Sequence, residues 1–298
     1  MIHALTVDVE DYHNINARDR LGRDEPPTRA VVHNTERLLN IFADYGVRAT
    51  FFVLGEVATT FPDLIRHIAE QGHELGVHGF YHRQVFKLSP EEFRREIVDA
   101  RSAIERISGV PVLGHRAAAF SIMPQTKWAL AVLAEAGFHY DSSIFPIAGR
   151  RYGWPGFPRD IHQMQLDDKL SIIEAPLSTV SLFGRLPLPV CGGGYIRHFP
   201  AAYTIWSVRH IQKRRPVIVY LHPYELELDC GIDTSLVNAF TACRAQLSHR
   251  LQLRNRHTVE RKLVQLISRF DFAPLSEVIA YRLGRSSAVN ARASTRER

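Results

Sequence analysis

Short apolar runs alternate with helix-period segments along residues 4–225, and no other feature restricts the fold as strongly. "ALTVDV" (4–9), "VRATFFVLG" (47–55), "HELGVH" (73–78), "VPVLGHRA" (110–117), "FHYD" (138–141), "LSIIEAP" (170–176) and Val217–Leu221 read as strands. Between them lie helical patterns at 31–45, 61–72, 89–109 and 124–136. The helix at 89–109 has the fullest set of boundary signals. Ser89 stands at the N-cap, Pro90 at the first helical position, Glu92 three residues on, and Gly109 past the last turn. A βαβα order implies a mostly parallel sheet, open or closed into a barrel. Reactive groups in either architecture collect at the C-terminal strand ends.

Composition excludes several classes. The chain has 298 residues, 45% of them apolar and 23% charged, ordinary values for a globular protein. No run approaches the roughly 18 apolar residues of a membrane span. "MIHALTVDVEDYH" reaches acidic residues within ten positions, unlike a secretory leader, so a cytoplasmic location is expected. Cys191, Cys230 and Cys243 have no CxxC spacing, which indicates neither a disulfide framework nor a zinc ribbon. The net charge of +6 is uneven: from Arg244 onward 12 Lys+Arg face 4 Asp+Glu, a surplus of +8 that leaves −2 for residues 1–243. No aromatic or Gly-rich motif is interleaved with those cations, so a solvated appendage is expected and specific nucleic-acid binding is not. "SSAVNARASTRER" at the end is expected to be disordered.

Four strand ends carry chemically potent residues. The first delivers Asp8, Glu10 and Asp11; the third delivers His78 and His82; "VLGHRA" delivers Arg116; "VIVYLHP" delivers His222. Two imidazoles and a carboxylate suit zinc or a similar divalent ion, with positions left open for water and substrate. Water on such an ion has its pKa lowered toward ~7. A second carboxylate could take its proton, an arginine could orient that carboxylate, and a histidine could protonate a leaving group. These parts make a metal-assisted hydrolase of an amide or ester. Each alone has a bland explanation: a surface histidine pair, a helix-capping acid, a rim imidazole, a structural ion pair. Their ordered combination is far rarer by chance.

The motifs resemble those of the polysaccharide deacetylase family, the NodB-homology carbohydrate esterases. "TVDVED" resembles its acidic first motif, "GHELGVHGFYH" its histidine pair, "GHRAAAFS" its arginine turn and "YLHP" its catalytic-histidine motif. "YDSSIFP", "CGGGYIR" and "YLHPYELE" are further similar to an exosortase-associated branch linked to exopolysaccharide. The resemblance implies a distorted (β/α) barrel of about seven strands over 1–225, a helical C-terminal extension over 226–285 packed on the barrel, and a basic tail at 286–298. It implies removal of N-acetyl groups from amino sugars of a bacterial (exo)polysaccharide or its precursor, a C–N hydrolase activity. Asp8 takes the general-base position, His222 the general acid, and Arg116 the residue holding the base. His78 and His82 take the metal positions, with Glu10 or Asp11 as third ligand. The divalent ion is zinc first, with cobalt or nickel as alternatives. The oxyanion donor falls near Ala118 or Ala119. The partner is an N-acetylated oligo- or polysaccharide, and contact with the cytoplasmic membrane or a polysaccharide machinery, or self-association, is left open. Rival activities are hydrolysis of a small non-sugar amide and glycan binding without catalysis.

The chain departs from the family pattern in places. Gly79 replaces a usual Ser or Thr, and the turn after Arg116 lacks the customary prolines. The acid that tunes His222 is not evident, with Asp141 as a candidate. Tyr195 and Arg197 of the Gly-rich loop are candidates to face sugar hydroxyls, a tight turn being the equal alternative. Trp154, among Gly and Pro, is a candidate platform for a sugar ring.

Overall fold

The computed structural model describes residues 1–149, 152–182, 186–190, 192–228, 231, 234 and 237–284. The tail at 286–298, Cys191 and Cys230 lie outside the described residues, and Cys243 is an exposed free thiol. The chain runs β1 (His3–Val9), α1 (Tyr12–Leu21), α2 (Arg29–Asp44), β2 (Thr50–Val53), α3 (Gly55–Thr60), α4 (Pro62–Glu70) and β3 (Glu74–Val77). It continues with α5 (Pro90–Ser108), β4 (Gly114–His115), α6 (Trp128–Glu135), β5 (Tyr140–Asp141), β6 (His162–Gln165) and β7 (Ser171–Glu174). Then follow β8 (Thr179–Leu182), β9 (Leu186–Pro189), α7 (Gly193–His198), α8 (Ala201–Ile211) and β10 (Ile218–Leu221). The last elements are α9 (Ala239–Leu253), α10 (Val259–Ile267), β11 (Phe272–Ala273) and α11 (Leu275–Arg282).

Seven parallel strands, in the order β10-β1-β2-β3-β4-β5-β7, form the main sheet, and β6 adds to β7 antiparallel. β1, β2 and β10 are buried along their whole length, which is why β2 and β10 read as largely apolar runs. Strand twist curls the sheet into a half-closed barrel. A separate hairpin, β8–β9, precedes α7, and Gly192 bridges to Tyr220 of β10.

The boundary signals of α5 are used as expected. Ser89 Oγ accepts from Glu92 N at 3.2 Å, Glu92 Oε2 accepts from Ser89 N at 2.8 Å, and Gly109 closes the helix at φ 72°. α1 was not foreseen, because its buried face holds Asn14 and Asn16 beside Tyr12 and Ala17 and so lacks an apolar stripe. The segment after His222 is more than an appendage. β11 pairs with β1 at His3 and Ala4, and Leu263 and Leu266 of α10 join the main hydrophobic core.

Candidate metal and catalytic centre

β1 is extended, so Asp8 and Glu10 leave its C-terminal end on one face. Arg116, fully buried, reaches across from the end of β4 and donates to Asp8 Oδ1 at 2.7 Å. Its remaining donors go to Thr6 Oγ1 (2.7 Å), Ser142 O (3.0 Å) and Ser142 Oγ (3.0 Å), and its plane lies over the Phe52 ring. The planar fork therefore has one orientation, and a buried carboxylate gains the partner it requires.

His78 follows β3 directly, and the chain then turns back on itself. Gly79 sits at φ 82°, a left-handed conformation that favours glycine over a residue with a Cβ, and His82 itself sits at φ 56°. The turn brings both imidazoles to one point. Nε2 of His78 lies 2.9 Å, and Nε2 of His82 3.0 Å, from the same oxygen, Glu10 Oε1. Asp11, the alternative acid, is spent elsewhere: Oδ1 accepts from His13 N at 2.8 Å as the N-cap of α1, and Oδ2 accepts from Thr28 N. Glu10 is the acid that the geometry joins to the histidines.

The donor chemistry fits a cation. His78 Nδ1 lies 2.8 Å from Arg116 O, an acceptor, so this nitrogen carries a proton and Nε2 is the ring atom turned to Glu10. Metal-bound histidines are commonly held in this way, with the far nitrogen donating to a carbonyl. All three candidate ligand atoms lie within 4.8 Å of one another. The two imidazole nitrogens stand 2.9 and 3.0 Å from Glu10 Oε1, close to the roughly 3.4 Å between ligand atoms placed ~2.1 Å from one tetrahedral ion. Burial pushes the Glu10 carboxyl up, but the imidazoles of His82, His222 and His78 outweigh it and hold Glu10 well below the usual carboxylate range. An ionised acid facing two imidazoles is the form a divalent ion needs.

His222 follows β10, and its Nε2 lies 3.9 Å from both Asp8 Oδ2 and Glu10 Oε1. Its Nδ1 faces Glu225 Oε2 at 3.6 Å, while that oxygen accepts from His222 N at 3.2 Å. Burial lowers the pKa of His222, but Glu10, Glu225 and Asp8 raise it further, to about 9. The ring stacks on Tyr224, with centroids 4.7 Å apart. Behind it, the Gly-rich stretch packs against β10, where a Cβ on Gly192 would meet the Tyr220 ring at 2.0 Å. Close approach to Tyr220 accounts for a glycine there.

Residues 24–140 match the family model described as polysaccharide deacetylase. The chain carries a polysaccharide deacetylase domain. Residues 142–280 match a second model, a domain of unknown function, DUF3473. The chain is 35% identical over 75 residues to a peptidoglycan-N-acetylglucosamine deacetylase of Bacillus cereus, covering 25% of this chain and 27% of that protein. A chitooligosaccharide deacetylase of Rhizobium leguminosarum is 30% identical over 146 residues, covering 49% of this chain and 60% of the relative. The chain thus spans well under two thirds of either curated relative. A crystal structure from Mycobacterium smegmatis, provisionally named a polysaccharide deacetylase, superposes with a TM-score of 0.60 at 20% identity, over 95% of this chain and 90% of that one. The fold is that of the deacetylases, an α/β sheet curled into a half-barrel with a helical C-terminal portion. The site is spread over the chain: His78, His82 and Arg116 lie within the matched deacetylase domain, Asp8 and Glu10 before it, and His222 and Glu225 in the DUF3473 segment.

Other expected site residues have different surroundings. Asp141 bonds His115 Nδ1 and Ser143 Oγ, both at 2.7 Å, and so supports the strand behind Arg116; Glu225 stands beside His222 instead. Arg197 is 6% exposed and forms an ion pair with Glu225 at 3.1 Å, so its guanidinium is turned inward and away from solvent. Trp154 packs on Phe157, and the Tyr195 hydroxyl meets that of Tyr152 at 2.7 Å. In the turn after Arg116, the N–H groups of Phe120 and Ser121 close on Ala117 O and Ala118 O. Those of Ala118 and Ala119 make no hydrogen bond among the described residues.

A cleft of about 670 Å³ opens from Glu10 and His82 toward solvent. Its walls come from α1, the turn at 84–87 and α9. The sequence held one signal for the missed Glu225: it stands three residues after His222, with Pro223 between them, a capping spacing. Among the described residues no helix is long and apolar enough to cross a membrane.

Proposed function

We propose that the chain is a metal-dependent hydrolase that removes N-acetyl groups from amino sugars of a bacterial exopolysaccharide or its precursor. The observation that carries this reading is the meeting of Asp8 and His222 beside the Glu10–His78–His82 cluster, each with its own fixed partner. The similarity to saccharide deacetylases supports an acetamide on a sugar as the scissile group.

Glu10, His78 and His82 would hold a divalent ion, which would supply Lewis acidity and lower the pKa of a water beside it. Arg116 occupies Asp8 Oδ1, which leaves Oδ2, the oxygen facing His222, to accept the proton of the attacking water. Ala118 and Ala119 offer backbone N–H groups for the oxyanion. His222, protonated at neutral pH, donates from Nε2 to the departing amine nitrogen as the C–N bond breaks. Acetate and a free amino sugar are the products. Burial of Asp8, Glu10 and the imidazoles strengthens each of these charge interactions.

The test is acetate release from tetra-N-acetylchitotetraose, and from polysaccharide of the producing bacterium, before and after chelation. Release that stops with chelator and returns with zinc is expected. No release from either substrate, or undiminished release by a His78→Ala/His82→Ala variant, overturns the reading.

A further inference from the structure

The outer half of the cleft has a composition that metal chemistry does not explain. Three cations from three separate elements line it: Arg20 of α1, Lys87 of the 84–87 turn and Arg244 of α9. The one carboxylate lining that outer half is Asp19, because Glu10 at the inner end faces imidazoles. Neither Lys87 nor Arg244 has a carboxylate partner among the described residues, while both are exposed. Gln84 also lines the cleft, is only 4% exposed, and its Oε1 has no hydrogen-bond partner among the described residues. A buried amide oxygen of this kind is costly unless something donates to it.

α9 is held so that one of its rows faces this space. Its inner side is fixed to the barrel through Ala245, 3% exposed, and His249, whose Nδ1 lies 2.8 Å from Tyr12 Oη. Arg197 Nη2 donates to Gln252 Oε1 at 3.2 Å at the far end. Phe240, Arg244, Ser248 and Gln252, spaced by four, then run along the cleft. Phe240 and Phe86, 71% and 45% exposed, add flat apolar faces on its two sides.

We propose that this outer half binds an anionic group of the saccharide, with Lys87 and Arg244 meeting the anion and Gln84 Oε1 accepting from a sugar hydroxyl. The substrate is then an acidic glycan, and α9 sets that preference. The proposal rests on the saccharide reading above. An excess of one sign of charge along a cleft concentrates ligands of the opposite sign, and arginine forks suit carboxylate and phosphate oxygens. The anion could be a uronate within the chain or a phosphate at its reducing end, and both offer the same oxygens.

Calorimetric titration of the full chain separates these sources and does not depend on turnover. The probes are tetra-N-acetylchitotetraose, a hyaluronan tetrasaccharide that carries carboxylates, and UDP-N-acetylglucosamine, which carries phosphates. Affinity at least about tenfold higher for one acidic probe than for the neutral one is expected, as for one charge-assisted contact. That preference should shrink toward one in a Lys87→Gln/Arg244→Gln variant and weaken with added salt. The stronger acidic probe identifies the source of the anion. Equal affinities, no binding of either acidic probe, or a preference that survives in the double variant overturns the proposal. Acetate release without any acidic preference removes this subsite and leaves the deacetylase reading intact. An acidic preference without acetate release from any probe does the reverse.

Discussion

His78 Nε2 and Glu10 Oε1 stand 2.9 Å apart, and the hydrogen bond from His78 Nδ1 to Arg116 O fixes the ring with Nε2 aimed at the carboxylate. Either a proton or a cation must lie between such groups. His82 Nε2, 3.0 Å from the same oxygen, makes a third donor around one point and favours the cation.

Glu10 and Asp11 should therefore separate cleanly on substitution. Glu10→Gln is expected to weaken zinc binding by more than about 100-fold, since loss even of a supporting residue costs 10–100-fold. Asp11→Ala should retain one zinc per chain and lose about 1 kcal/mol of stability with its N-cap contact to His13. Elemental analysis after dialysis, paired with urea unfolding, checks both. Zinc retained by Glu10→Gln and lost by Asp11→Ala would reverse the assignment.

Glu225 should set the alkaline limb of the pH–rate profile. His222 must be protonated to act as an acid, so activity falls as pH rises through its pKa, pushed up to about 9. Removing the Glu225 charge lowers that pKa toward the ordinary value of 6.5, and Glu225→Gln should shift the limb to lower pH. Asp141→Asn, which lies beside His115, should leave the limb in place. A limb that moves with Asp141 and not with Glu225 would contradict the geometry, and melting temperatures exclude simple unfolding.

Two buried histidines far from the catalytic groups should make the fold acid-sensitive. His3 Nδ1 accepts from Val217 N and His73 Nδ1 from Ala49 N, both at 3.1 Å, so each ring serves as an acceptor only while neutral. Burial lowers both pKa values to about 4. Between pH 6.5 and 4 the unfolded chain binds more protons than the folded one, so stability falls with acidification across that window, by no more than about 3 kcal/mol per residue. Urea midpoints of chelated protein from pH 7 to 4.5 report the slope. His73→Asn keeps an acceptor that does not titrate and should flatten it; an unchanged slope would remove His73 from the account.

The alternation of apolar runs and helical segments was enough to define a parallel α/β sheet, because strands buried on both faces must be apolar throughout. α5 was equally legible, since its capping box and Gly109 are local signals. Elements whose stability comes from distant partners were not. α1 buries asparagines, α7 begins where Gly192 and Gly193 pass close to the Tyr220 ring, and β11 is two residues long and exists by pairing with β1.

For the site, the sequence by itself determined which strand ends carry Asp8, His78, Arg116 and His222, since a βαβ order sends all of those ends to one rim. The tertiary structure alone decided between Glu10 and Asp11, set Glu225 and not Asp141 beside His222, and turned Arg197 inward. The physical reason is common to the three cases. An ionisable side chain is claimed by whichever backbone amide, imidazole or guanidinium reaches it first, and Glu10, for one, meets imidazoles 68 and 72 residues away in the chain. Local spacing cannot rank partners that only the folded sheet brings within 3 Å or so.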